Sequence, residues 1–210
     1  TGWMAGQGID VVVLDGANRF DPYMVSSFAK KASIPPESLL KRIRIARAFT
    51  CYQMATLVEE KLIALLRQEE AISQTNKPWV ILLGPITTFL DEDVPERESR
   101  PLFERMLRKM EEMAMDRVSF FLFQPNPPFT KVGTTRNRGG AGGLVNSKRA
   151  FLERRLFQIS TAAWRVNLDD EGPKMILEKS VELNIIENCK LQNGKCKFER
   201  KSFKCLSGSG

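Results

Sequence analysis

Four apolar segments of strand length, separated by segments of helical periodicity, constrain this chain more than any other feature of its sequence. The first, Ile9 to Leu14, is the nearly continuous run Ile-Asp-Val-Val-Val-Leu, which suits a parallel strand buried on both faces, and it closes on the turn signal Asp15-Gly16. Arg42 to Ala48 alternates, with Ile43 and Ile45 on one side and Arg44, Ala46 and Ala48 on the other. Trp79 to Leu83 is a third strand, and Val118 to Phe123, Val-Ser-Phe-Phe-Leu-Phe, a fourth.

The intervening segments predict helices. Asp21-Pro22 has the form of an N-cap with proline at the first helical position, and Met24, Val25, Phe28 and Ala29 follow on one face until the chain meets Ile34-Pro35-Pro36. Met54, Leu57, Val58, Leu62 and Leu65 predict a long helix ending near Gln68. Ser99 to Met115 predicts another, with Leu102, Met106, Met110 and Met113 as its inner stripe. Trp164 to Leu168 and Lys174 to Glu178, around Asp169-Asp170-Glu171-Gly172, predict a β-hairpin. Strands alternating with helices of this length imply right-handed crossovers and a mostly parallel, twisted sheet flanked by helices, an α/β fold.

With 210 residues, 42% of them apolar, the chain is expected to bury one core, over residues 1–183. Residues 184–210 form a basic tail containing Cys189, Cys196 and Cys205 and closing on the linker-like Ser207-Gly208-Ser209-Gly210. The absence of a long apolar run or a secretory leader predicts a soluble, cytoplasmic protein with no membrane partner. Histidine is absent from the sequence. That removes Ser-His-Asp and Cys-His nucleophilic catalysis and the commonest zinc sites. The three tail cysteines, at C-x6-C and C-x8-C, lack the paired spacing of a zinc site, and reduced thiols are the expectation for all four cysteines.

The net charge of +7 is concentrated. Between Lys131 and Arg155, seven cations (Lys131, Arg136, Arg138, Lys148, Arg149, Arg154 and Arg155) face the single anion Glu153, a local balance of +6. Much of this segment, Pro125 to Ser147, has no periodicity and contains Gly139-Gly140-Ala141-Gly142-Gly143. A long glycine-rich basic loop is suited to clamping nucleic-acid backbone, with Arg136, Arg138, Lys148 and Arg149 on phosphates, although a solvated loop has the same composition. Asp91-Glu92-Asp93 with Glu96 is an acidic cluster without fixed ligand spacing, best explained as a solvated loop.

The order of the elements meets specific residues. Val13 to Pro22, Leu39 to Thr50, Val80 to Thr88, Phe120 to Gln124 and Ser160 to Leu168 resemble successive segments of the RadA branch of the RecA-family recombinases, over roughly Ile9 to Glu182. The resemblance implies a RecA-like core, a role in DNA recombination and repair, single-stranded DNA as a partner, and homo- or hetero-oligomers with RecA-like paralogues. Phe20 and Pro22 match the structural part of the motif after the second family strand. Gln124 matches the polar position that senses nucleotide or DNA state. Asp91 to Arg100, with Arg97 and Arg100, falls where the family places a first DNA-binding loop, and Pro125 to Lys148 where it places a second.

The departures concern catalysis. No glycine-rich P-loop ending in Gly-Lys-Ser/Thr is present; it would belong upstream of Thr1. The carboxylate that would orient the attacking water is replaced by Ala17, and the Walker B aspartate by Gly84. No catalytic residue, metal site or cofactor is expected of this chain itself, and ATP and Mg²⁺ enter only with an upstream P-loop. The expectation is a DNA-binding protein with weak or absent ATP hydrolysis. The alternatives are a piece of an active ATP-dependent recombinase or KaiC-like ATPase, and a non-enzymatic subunit pairing with an active paralogue.

Overall fold

Burial selects which apolar run becomes the centre of the sheet. In a computed structural model of the chain, which describes residues 1–72, 77–125, 142–169, 172–180, 191–192 and 195–196, the run after Asp10 forms β1 (Val11–Asp15), with all five residues buried. It pairs in parallel with β2 (Ile43–Arg47) on one side and β3 (Trp79–Leu83) on the other, and β4 (Phe120–Phe123) adds in parallel outside β3. The order is β2-β1-β3-β4. The fold is therefore mixed α/β with a wholly parallel four-stranded sheet, and an antiparallel hairpin follows it, β5 (Ala162–Asp169) with β6 (Gly172–Ser180). A two-residue ladder joins β7 (Leu191–Gln192) and β8 (Lys195–Cys196).

Helices α1 (Gly2–Gly6), α2 (Pro22–Lys31) and α3 (Pro36–Leu40) bury Ala5, Val25, Ala29 and Leu39 in a cluster with Val11, Val13, Ile43 and Ile81. Strand alternation sends Val12 and Leu14 to the opposite face. The expected cap is present: the Asp21 carboxylate accepts the Tyr23 N–H at 2.8 Å, with Pro22 opening α2. The long second helix begins at α4 (Cys51–Thr56), passes through a π-helical stretch at Leu57–Leu62 and continues as α5 (Ile63–Ile72). Helix α6 (Glu96–Met115) buries the expected stripe Leu102, Met106, Met110 and Met113. Helix α7 (Gly142–Ile159) starts inside the segment read from the sequence as aperiodic loop.

The chain divides into two compact units, Thr1–Arg155 and Leu156–Gly210. In the second unit, β5 and β6 pair with each other in a sheet of their own. No helix among the described residues is long and apolar enough to cross a membrane.

Within the first unit, the Arg155 guanidinium makes a two-pronged contact with Glu104, Nε to Oε1 at 2.6 Å and a terminal nitrogen to Oε2 at 2.7 Å, joining α7 to α6. This hydrogen-bonded pairing holds the Glu104 carboxyl below its ordinary pKa and raises that of Arg155. A carboxylate whose folded-state pKa is lowered contributes stability that is fully present above its unfolded value and is lost as pH falls through the folded one. Urea midpoints should therefore decline on acidification below about pH 4.3, the ordinary glutamate value. Glu104→Gln should make the acid limb shallower while lowering stability at neutral pH.

Candidate functional site at the carboxyl ends of the strands

The chain leaves β1 for β2 on one side and then returns to β3 on the other, so the direction of crossover reverses at β1. In open α/β sheets, the crevice outside the carboxyl ends of the strands at such a switch point is where ligands bind. A cleft of about 550 Å³ lies there, lined by Gly16 after β1, Phe49 after β2, and Thr87, Thr88, Leu90, Asp91, Glu92 and Asp93 after β3. The 3₁₀ turn Thr87–Leu90 carries the chain from β3 into this rim.

The one carboxylate at the end of β1 is already engaged. Asp15 is buried; its Oδ1 accepts the Arg19 N–H at 3.0 Å, its Oδ2 accepts the Phe20 N–H at 2.9 Å, and Arg47 Nε lies 3.6 Å away. Arg47 also donates to the Phe20 carbonyl at 3.1 Å. These bonds fold the turn after β1 and tie it to β2.

Ala17 and Gly84, where the resemblance places two carboxylates, are packed against each other. The Gly16 and Ala17 N–H groups both donate to the Leu83 carbonyl, at 2.9 and 3.1 Å, and the Gly84 N–H donates to the Phe123 carbonyl at 2.7 Å. Gly84 has φ +63°, and a Cβ there would lie 2.5 Å from the Ala17 Cβ and 2.5 Å from the Thr87 hydroxyl oxygen. Positive φ is readily adopted by glycine and strained for aspartate, and the side chain has no room. The residues present thus do not fit a nucleotide-bound magnesium ion: neither position bears a carboxylate, and Asp15 is committed to the turn. Among the described residues, no cluster of acidic or cysteine side chains is arranged to hold a metal. Cys51 is a buried free thiol, and burial pushes its pKa up, the opposite of what a nucleophile requires.

The basic residues singled out in the sequence have several fates. Lys148 is buried, and its ammonium donates to the carbonyls of Asp91 and Val94, each at 3.2 Å. It therefore pins the loop before α6 to α7 instead of facing phosphate, because α7 begins early enough to turn it inward. Arg149 Nε donates to Glu153 at 2.8 Å and a terminal nitrogen reaches the Pro125 carbonyl at 3.2 Å. Arg100 pairs with Glu96 at 2.5 Å and lies 4.3 Å above the Phe151 ring. Arg97 is the most exposed of the described members of the set, 4.0 Å from Glu98. Arg136 and Arg138 lie outside the described residues, as does most of the glycine-rich segment.

Gln124 sits on the same rim as the cleft. Its Oε1 accepts the Ile86 N–H at 3.2 Å and its Nε2 donates to the Pro125 carbonyl at 3.2 Å, linking the end of β4 to the turn after β3. Sequence reading did not select Phe49, Thr87 or Thr88. Their signal was positional: each follows the end of a strand in a sheet whose parallel character was already legible.

Comparison with protein-family models and with curated proteins finds no match to this chain.

Gly84 yields a direct expectation. Gly84→Ala should cost about 2 kcal/mol or more in denaturant unfolding, from positive φ and contact with Ala17. Restoring both carboxylates in an Ala17→Glu/Gly84→Asp variant should lower stability further and create no magnesium-dependent ATP hydrolysis in a phosphate-release assay.

Proposed function

We propose that this chain is a single-stranded-DNA-binding protein of RecA/RadA type that does not turn over ATP. The observation that carries the second half of this reading is the contact between Ala17 and Gly84. At the strand ends where an ATPase of that family would work, Gly16, Ala17 and Gly84 are tied into backbone hydrogen bonds, and residue 84 has no space for a side chain. The same contact weighs against the chain being a piece of an active ATP-dependent recombinase or a KaiC-like ATPase.

The nucleic-acid half rests on charge. Of the seven cations between Lys131 and Arg155, Lys148, Arg149 and Arg155 are engaged in internal bonds. Arg154 is exposed, and Arg97 lies on the neighbouring helix; together with Lys131, Arg136 and Arg138, which lie outside the described residues, they are the phosphate contacts of this reading. Arg136 and Arg138, flanked by glycines that allow close backbone approach, are the residues assigned the largest share. Anisotropy of a labelled single-stranded oligonucleotide should show binding that weakens steeply with salt and is unchanged by ATP with Mg²⁺. Arg136→Ala/Arg138→Ala should reduce affinity about tenfold at low salt, each lost phosphate contact also flattening the salt slope by about one. Wild-type binding by that variant would remove the DNA reading.

A second reading, a non-enzymatic subunit that pairs with a RecA-like paralogue or with itself, is favoured by one feature of the sheet. Edge strand β2 carries Arg44 and Arg47, whereas edge strand β4 is Phe-Phe-Leu-Phe, with Phe123 54% exposed. The Ser119 and Phe123 carbonyls accept from Val80 and Gly84, so parallel-ladder alternation turns the N–H and C=O of Phe120 and Leu122 outward. An apolar edge of this kind is a template for strand pairing. If the chain associates through it, Phe123→Lys, at the exposed ring, should abolish the association in light scattering with little loss of stability, and a monomeric wild-type chain that ignores RecA-like partners would exclude this reading.

A further inference from the structure

Two neighbouring cations on α7 reach the chain at two different places. Lys148 is buried, 8% exposed, and its ammonium donates to the Asp91 and Val94 carbonyls, each at 3.2 Å. Val94 immediately precedes Pro95, the N-cap of α6, whose first turn carries Arg97. Arg149 donates from a terminal nitrogen to the Pro125 carbonyl at 3.2 Å, just past the end of β4. Consecutive helical positions point about 100° apart, so a single turn of α7 makes both approaches. The chain entering α6 and the chain leaving β4 are thus fixed to the same turn of one helix.

Stability does not account for a lysine at this position. Among the described residues, no carboxylate pairs with the Lys148 ammonium, and its three donors meet two neutral carbonyls. Burying a cation in this way costs stability, and an unbranched apolar side chain would fill the same space without the charge. The bodies of α6 and α7 are joined further along in any case, by Arg155 on Glu104 and by Arg100 over the Phe151 ring. What Lys148 adds is a fixed direction for the chain as it enters α6.

We propose that Lys148 is a positioning residue for nucleic-acid binding, which sets where Arg97 stands by holding the turn that leads into α6 and does not itself touch phosphate. The proposal rests on the single-stranded-DNA reading above and gives Lys148 a role in it other than the phosphate contact its charge suggests. The Arg97 side chain is 84% exposed and its one ion-pair neighbour, Glu98, is 4.0 Å away, so the backbone of the first turn decides which way it reaches. A long exposed side chain held only by its own backbone gains a phosphate contact in proportion to how firmly that backbone is placed.

The test applies two measurements to the wild type, Lys148→Met, Arg97→Ala and the double variant. Hydrogen exchange without DNA reads the tie itself: amides over residues 91–98 should exchange about tenfold faster in Lys148→Met, while those of β1 and β3 and the urea midpoint stay the same or rise. Anisotropy of a labelled single-stranded oligothymidine reads the consequence. Each single variant should weaken binding about threefold at low salt and flatten the salt slope by about one, and the double variant should match either single, because both remove the same contact. Additive losses, with the slope of the double variant flattened by about two, would make Lys148 a phosphate contact in its own right and overturn the proposal. Unchanged exchange over residues 91–98, wild-type affinity in Lys148→Met, or loss of its cooperative urea transition would overturn it as well, the last by making the lysine a requirement of the fold. A wild-type chain without salt-dependent binding removes the DNA reading first, and the role given to Lys148 with it.

Discussion

The buried carboxylate of Asp15 governs the path of the first half of the sheet. At the end of β1 the chain must leave a fully buried strand and reach the first turn of α2, and the backbone groups of that turn need partners where water is scarce. Asp15 supplies two of them, for the N–H groups of Arg19 and Phe20, while Arg47 answers its charge from β2 and caps the Phe20 carbonyl. A single side chain thereby fixes the exit from β1, the entry to α2 and the neighbour on one side. With the turn set, Phe20 and Val25 fall into the core beneath α2.

On the other side of β1 the constraint passes to the backbone. The Leu83 carbonyl accepts two successive N–H groups from Gly16 and Ala17, Gly84 reaches across to Phe123, and Gln124 returns to Ile86. Three parallel strands thus end in one hydrogen-bonded seam. The seam has a chemical consequence: strand-end amides that in other α/β proteins remain available for an anion are satisfied internally here. The amides of Gly16, Ala17, Gly84 and Ile86 are thus spent within the fold.

Most of the architecture was legible in the sequence because it depends on periodicity. Trp79 to Leu83 became β3 without change, the Met stripe of α6 is buried as spaced, and Asp21-Pro22 caps α2 as written. Three kinds of feature were not legible. Short helices such as α1 and α3 have too few residues to show a period. The first turns of α7 are glycine-rich, Gly142-Gly143, and their helicity comes from context that composition cannot convey. Ile45 alternates correctly for burial yet is 44% exposed, because β2 is an edge strand and position in a sheet is not written in a strand's own pattern. The site followed the same division. Ala17 and Gly84 were readable as missing carboxylates, but their mutual contact, the positive φ of Gly84 and the inward turn of Lys148 are properties of the folded backbone.

The two edges of the sheet are also unlike in chemistry. A sheet with two receptive edges polymerises, since every addition exposes a new end. Here one end bears Arg44 and Arg47 and the other is bare Phe-Phe-Leu-Phe. Charged residues on one edge strand and apolar ones on the other make the two margins unequal partners for a further strand. Were a strand to join the apolar edge, the addition would leave the arginine-bearing β2 margin as the outer edge of the enlarged sheet.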